Sequence, residues 1–142
     1  IMNSSFTNVY GDAADFSGSQ VSVVNSSFRK VKDKAVSAGE GSTLEVNHIS
    51  VIDCGVGVAA KDGSFASVRD SNFSGMALSS FMTYTKKPFY SSPKLVSTGN
   101  VFAEKNSCCI SQQGSELIHE NVLVDQMFIN VDSLYQTQTM KK

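Results

Sequence analysis

Gly18–Phe28 reads GSQVSVVNSSF, and the chain returns to the same phrase three more times. It recurs as GSTLEVNHISV from Gly41, GSFASVRDSNF from Gly63 and GSELIHENVLV from Gly114. The spacings are 23, 22 and 51 residues, and the last divides into 29 and 22 when the stretch around Pro93, SPKLVSTGNVF, is taken as a copy without its Gly. Counting from the Ser, the second and fourth places hold Val21 and Val23, Leu44 and Val46, Ala66 and Val68, Leu95 and Ser97, Leu117 and His119. The sixth place holds Asn25, His48, Asp70, Gly99 and Asn121, and the ninth Phe28, Val51, Phe73, Phe102 and Val124. NSSF at Asn3–Phe6 is the tail of an earlier copy.

A period of this length marks stacked supersecondary units, and alternation of period two within each unit marks strands. The pattern predicts an all-β, right-handed parallel β-helix of about six coils, 22–23 residues each with one of 29. Coils stack at about 4.8 Å, so the ninth-place residues form an internal apolar ladder. The sixth place falls where the chain bends, and Asn, Asp and Gly suit such bends. An antiparallel sandwich would need hairpin signals such as Asn-Gly and leaves the equal register without a cause. No helical period stands out, and the terminal SLYQTQTMKK alternates like a last strand, closed by Lys141 and Lys142 as a charged edge.

The 142 residues suffice for one domain with a core, spanning 1–142. Charged residues make up 18%, the net charge is -1, and Ser occurs 23 times. Such a chain has no general attraction for nucleic acid or anionic membrane, and no apolar run is long enough to span a bilayer. It opens on Ile1 in mid-pattern, so it is expected to be a piece of a longer chain, whose remainder is then a partner. Cys54, Cys108 and Cys109 show no metal-ligand spacing and are expected to be buried free thiols. The adjacent pair could bridge only to itself. No cofactor is expected. His48 and His119 fall in different columns, so no metal site is expected either.

At this point the residues resemble a known group. The stacked phrases, with DKAVSAGEGS (Asp33–Ser42), VGVAAKDGS (Val56–Ser64) and YTKKPFY (Tyr84–Tyr90), are similar to the pectin-lyase-like right-handed β-helix superfamily. Within it they resemble segments of large bacterial surface or secreted proteins. The resemblance implies the fold and an extracellular or cell-envelope location, with polysaccharide as the partner class; it does not fix an activity. The Asp-Asp, His-Gly and Arg-x-Lys motifs of polygalacturonase-like enzymes are absent, and Arg29 and Arg69 are the only arginines. The expected role is a non-catalytic module, a stalk or a polysaccharide-contacting surface. The alternative is a polysaccharide lyase or glycoside hydrolase fragment.

Two candidate sites follow. The 29-residue copy carries an insertion near residues 79–93, and solenoid insertions emerge as loops on one face. Phe81, Tyr84, Phe89 and Tyr90 offer rings to sugars there, and Lys86 and Lys87 offer charge to uronates or sulfates. For the enzymatic alternative, Glu40 and Asp62 occupy equivalent places before the Ser. Stacking would set them roughly 5 Å apart, near the spacing of a retaining glycosidase pair. Both lie in Gly-containing turns, where acidic residues also serve as turn caps.

Overall fold

The computed structural model describes residues 1–104, 108–137 and 139–140; Lys141 and Lys142, expected to protect an edge, lie outside them. The chain is a parallel β-solenoid of about five turns, about 22 residues each, with 54% strand.

Three sheets run along it. The first contains β1 (Ser5–Val9), β4 (Ser27–Val31), β7 (Ser50–Ile52), β10 (Asn72–Ser74) and β13 (Val101–Phe102). The second contains β2 (Ala14–Ser17), β5 (Lys34–Gly39), β8 (Val56–Lys61), β11 (Ser79–Tyr84), β14 (Cys109–Gln112) and β17 (Gln126–Met127). The third contains β3 (Gln20–Val24), β6 (Thr43–Asn47), β9 (Phe65–Arg69), β12 (Lys94–Thr98), β15 (Glu116–His119) and β16 (Val122–Leu123).

The repeat register is the pairing register. Val23 pairs with Val46, Val46 with Val68, Val68 with Ser97 and Ser97 with His119. In the first sheet Phe6, Phe28, Val51, Phe73 and Phe102 stack in order. The Phe6 and Phe28 rings lie parallel with centroids 5.0 Å apart.

The corners explain the Gly-Ser phrase. Asn3, Asn25, His48 and Asp70 have φ of 51°, 51°, 54° and 48°, so the sixth place is a left-handed bend. At a second corner Glu40 and Asp62 are left-handed, each followed by a left-handed Gly. The Ser that follows is buried, and its hydroxyl satisfies backbone groups that the bend takes out of the ladder. Ser64 Oγ accepts from Lys61 N–H at 2.9 Å and donates to the Ala38 carbonyl one coil away, also at 2.9 Å. Ser42 Oγ accepts from Ser19 N–H at 3.1 Å and donates to the Gly39 carbonyl at 2.7 Å. A third left-handed corner, at Asn8, Lys30, Asp53 and Gly75, was not evident from the repeat.

Three expectations are corrected. Val124 does not join the ladder, because the chain reverses at Glu120 and Asn121 and β16 returns antiparallel to β15. The final stretch is not a strand. Residues Val131–Gln136 form helix α1, capped by Asn130, whose side chain accepts from Ser133 N–H at 3.0 Å. Cys108 and Cys109 are not free thiols but are joined to each other, whereas Cys54 is free and buried.

Helix α1 covers the outer face of the second sheet. Val131, Tyr135 and Met140 pack with Val56, Ala59, Met82 and Tyr84, apart from the main core. Strands β5, β8 and β11 are consequently buried along their whole length. That accounts for runs such as VGVAAK, which do not alternate because neither face meets water.

Candidate functional site

Strand β11 takes up the first part of the expected insertion, so the loop itself begins at Thr85 and ends before Lys94. Phe81 and Tyr84 lie on that strand and are fully buried. Phe81 faces the main core beside Phe73, and Tyr84 faces helix α1, so neither ring meets solvent. Both were expected at a sugar-contacting surface; burial on either side of a covered sheet removes them from it. Phe89 and Tyr90 do reach the surface, 80% and 37% exposed, with ring centroids 4.9 Å apart.

The loop is pinned to the corner below it. Asp62 Oδ1 accepts from the backbone N–H groups of Lys86 and Lys87, each at 2.7 Å. Lys87 Nζ pairs with Glu40, and that carboxylate holds the ammonium above its usual range. Lys86 Nζ sits 4.4 Å from the centre of the Tyr135 ring. Glu40 and Asp62 do stack at one corner, but one carboxylate is engaged by a lysine and the other caps a turn.

A second constellation carries no signature in the repeat. Lys34 is 1% exposed at the start of β5. Its Nζ meets Asp12 Oδ1 at 3.0 Å and Asp33 Oδ1 at 2.7 Å. Asp12 Oδ1 also accepts from Lys34 N–H at 3.1 Å. Burial pushes the ammonium down, but Asp12, Tyr135 and Asp33 together outweigh it, so Lys34 is held up. Burial pushes the Asp12 carboxyl up against the pull of Lys34. Tyr84 and Tyr135 share a hydrogen bond of 2.8 Å between their hydroxyls, and burial, the largest cause for both, pushes both phenols up. Lys34, Lys61, Lys86, Asp12, Asp15 and Tyr135 border a cleft of about 290 Å³. The lysine and the two phenols keep their protons near neutral pH and are not bases there; Asp12 and Asp15 are the carboxyl groups of the cleft.

A groove of about 590 Å³ follows the sixth-place corner, where Asn25, His48 and Asp70 succeed one another beside Ser27, Ser50 and Asn72. It presents amide, imidazole, carboxylate and hydroxyl groups at the coil spacing, about 4.8 Å.

The far end of the interior differs from the rest. One nitrogen of His119 and the two sulfurs of Cys108 and Cys109 lie within 4.8 Å of one another, all partly buried. His119 was expected to lack partners, because nothing in the sequence tells that Cys108 and Cys109 fold inward beneath it.

Comparison with family models, curated proteins and solved structures finds no match to the chain.

Proposed function

We propose that the chain is a non-catalytic β-helix module of a larger extracellular or cell-envelope protein, pectin-lyase-like in architecture, and that it contacts polysaccharide. The observation that carries this reading is the exposed Phe89–Tyr90 pair, on the longest connection between strands among the described residues. Paired rings left in water on a projecting loop suit the flat faces of sugars. The Asn25–His48–Asp70 groove supports it, since a periodic row of hydrogen-bonding groups matches a periodic polymer.

The non-catalytic half of the proposal rests on protons. In the Lys34 cleft the lysine and Tyr135 hold theirs and Asp12 is paired with Lys34, while the Glu40 and Asp62 carboxylates are tied into the loop corner. Among the described residues no helix is long and apolar enough to cross a membrane, which is compatible with a module held outside the bilayer.

The test is a polysaccharide panel scored both for retention and for new reducing or unsaturated ends. Retention without product is expected, weakened about tenfold or more in the Phe89→Ala/Tyr90→Ala double variant if each ring contributes about 1 kcal/mol. Product formation would turn the reading toward a lyase or hydrolase. Unchanged retention in the double variant would remove the loop from the binding surface.

A further inference from the structure

The fourth-place column runs Val23, Val46, Val68, Ser97, His119. Three valines give way to a hydroxyl and an imidazole, inside a solenoid whose interior is otherwise apolar at this column. Ser97 is fully buried, and its Oγ lies 2.7 Å from His119 Nδ1. When Nδ1–H donates to that hydroxyl, the neutral ring keeps its lone pair on Nε2. A buried partner that fixes one ring nitrogen and frees the other is the usual support of a metal-binding histidine. Phe102 and Phe81 flank the ring at centroid distances of 5.4 Å and 6.3 Å and limit its rotation. Cys108 and Cys109 supply two sulfurs beside it.

We propose that Cys108, Cys109 and His119 form a redox-gated site for a thiophilic divalent cation of the zinc type. Ligands around such an ion sit about 3.5–4 Å apart at metal–ligand bonds of about 2.0–2.3 Å, so the imidazole nitrogen, within 4.8 Å of both sulfurs, needs only a small approach, while the two bonded sulfurs move apart once the disulfide opens. The disulfide is the closed state of the gate. A dithiol reductant transfers two electrons to it, the S–S bond breaks, two protons go to the sulfurs, and the dithiol leaves as its own cyclic disulfide. Cation binding then displaces both protons, and two thiolates neutralise the dication beside the Phe81 and Phe102 rings. The neutral imidazole gives the third bond and water the fourth. Partial exposure of all three residues leaves a path for the reductant and the ion. This site is independent of the polysaccharide reading.

The experiment uses the full chain, reduced and then reoxidised with diamide, with folding followed by circular dichroism. Zn²⁺ affinity is read by competition with a chromogenic chelator, and Cd²⁺ reports thiolate ligation through its ultraviolet charge-transfer band. The reduced chain is expected to take up one equivalent with that band, and the reoxidised chain none. Ser97→Ala, which removes only the support of the imidazole, should weaken binding about tenfold or more, and His119→Gln further. Cys54→Ser should bind like the parent. A folded, reduced chain that ignores both ions overturns the proposal, as does parental affinity in Ser97→Ala and His119→Gln. Loss of the band in Cys54→Ser also overturns it, by moving the thiolate ligand elsewhere.

Discussion

Lys34 shows how much one buried side chain decides. It stands between Asp12 and Asp33 with almost no solvent contact, so removing it takes the neutralising charge from two carboxylates. Lys34→Met is expected to lower stability by about 3–5 kcal/mol in chemical denaturation. The same residue sets a pH dependence. Its folded-state ammonium lies above the 10.5 of a free lysine, so its contribution is intact below 10.5 and drains as pH rises through the higher folded value. Tyr84, held well above 10.0, loses its contribution in the same direction. The denaturation midpoint should therefore fall on the alkaline side, and Lys34→Met should make that fall shallower; an identical alkaline limb would refute the assignment. Phe73, 2% exposed and flanked by Phe81 and Phe102, tests the interior ladder. Phe73→Ala is expected to cost about 3–5 kcal/mol. Gly57 tests the tightness of the same place. A methyl there would fall 2.5 Å from the Ser80 carbonyl and 2.7 Å from the Phe73 ring, so Gly57→Ala should also destabilise, by about 1–3 kcal/mol.

At the scale of elements, helix α1 is the piece whose removal says most. Without it Val56, Ala59, Met82 and Tyr84 would face water on the second sheet. Truncation before Asn130 is expected to give a chain that binds a hydrophobic dye and self-associates on gel filtration. A monomer with parental dye binding would show that the helix covers nothing important. The solenoid strands were legible in the sequence because one face of each repeats on the same apolar column, as Val23, Val46 and Val68 do. The helix was not. Its apolar residues are few, and Val131–Gln136 spans under two turns, too short for a period to emerge. Its partner surface did leave a trace, since KAVSAG and VGVAAK fail to alternate. The candidate loop was half legible. Phe89 and Tyr90 emerge as the insertion implied, but Phe81 and Tyr84 belong to β11, because an insertion's start cannot be told from the strand it follows when both are aromatic. The Lys34 cluster joins residues from neighbouring coils, and the Cys108–Cys109–His119 group joins two walls of one coil; spacing alone does not reveal which side chains turn toward each other.

The whole molecule is a stack in which most contacts join neighbouring coils, so protection need not be uniform. Backbone amides of β5, β8 and β11, buried on both faces, should exchange slowest, and those of the exposed end strands β1, β16 and β17 fastest. Equal protection throughout would mean a single cooperative unit. The arrangement of α1 also has a mechanical meaning. Hydrogen bonds between coils lie along the axis of the stack, so tension on the N-terminus loads one coil at a time. Each coil that lets go yields about 22 residues, about 70–80 Å of slack. Peeling runs freely only as far as Lys34, where Tyr135 lies against it and Tyr84, two coils on, is bonded to the same ring's hydroxyl. The helix is therefore a clasp: a pulled chain lengthens in small steps over its first coil, then holds until the clasp opens.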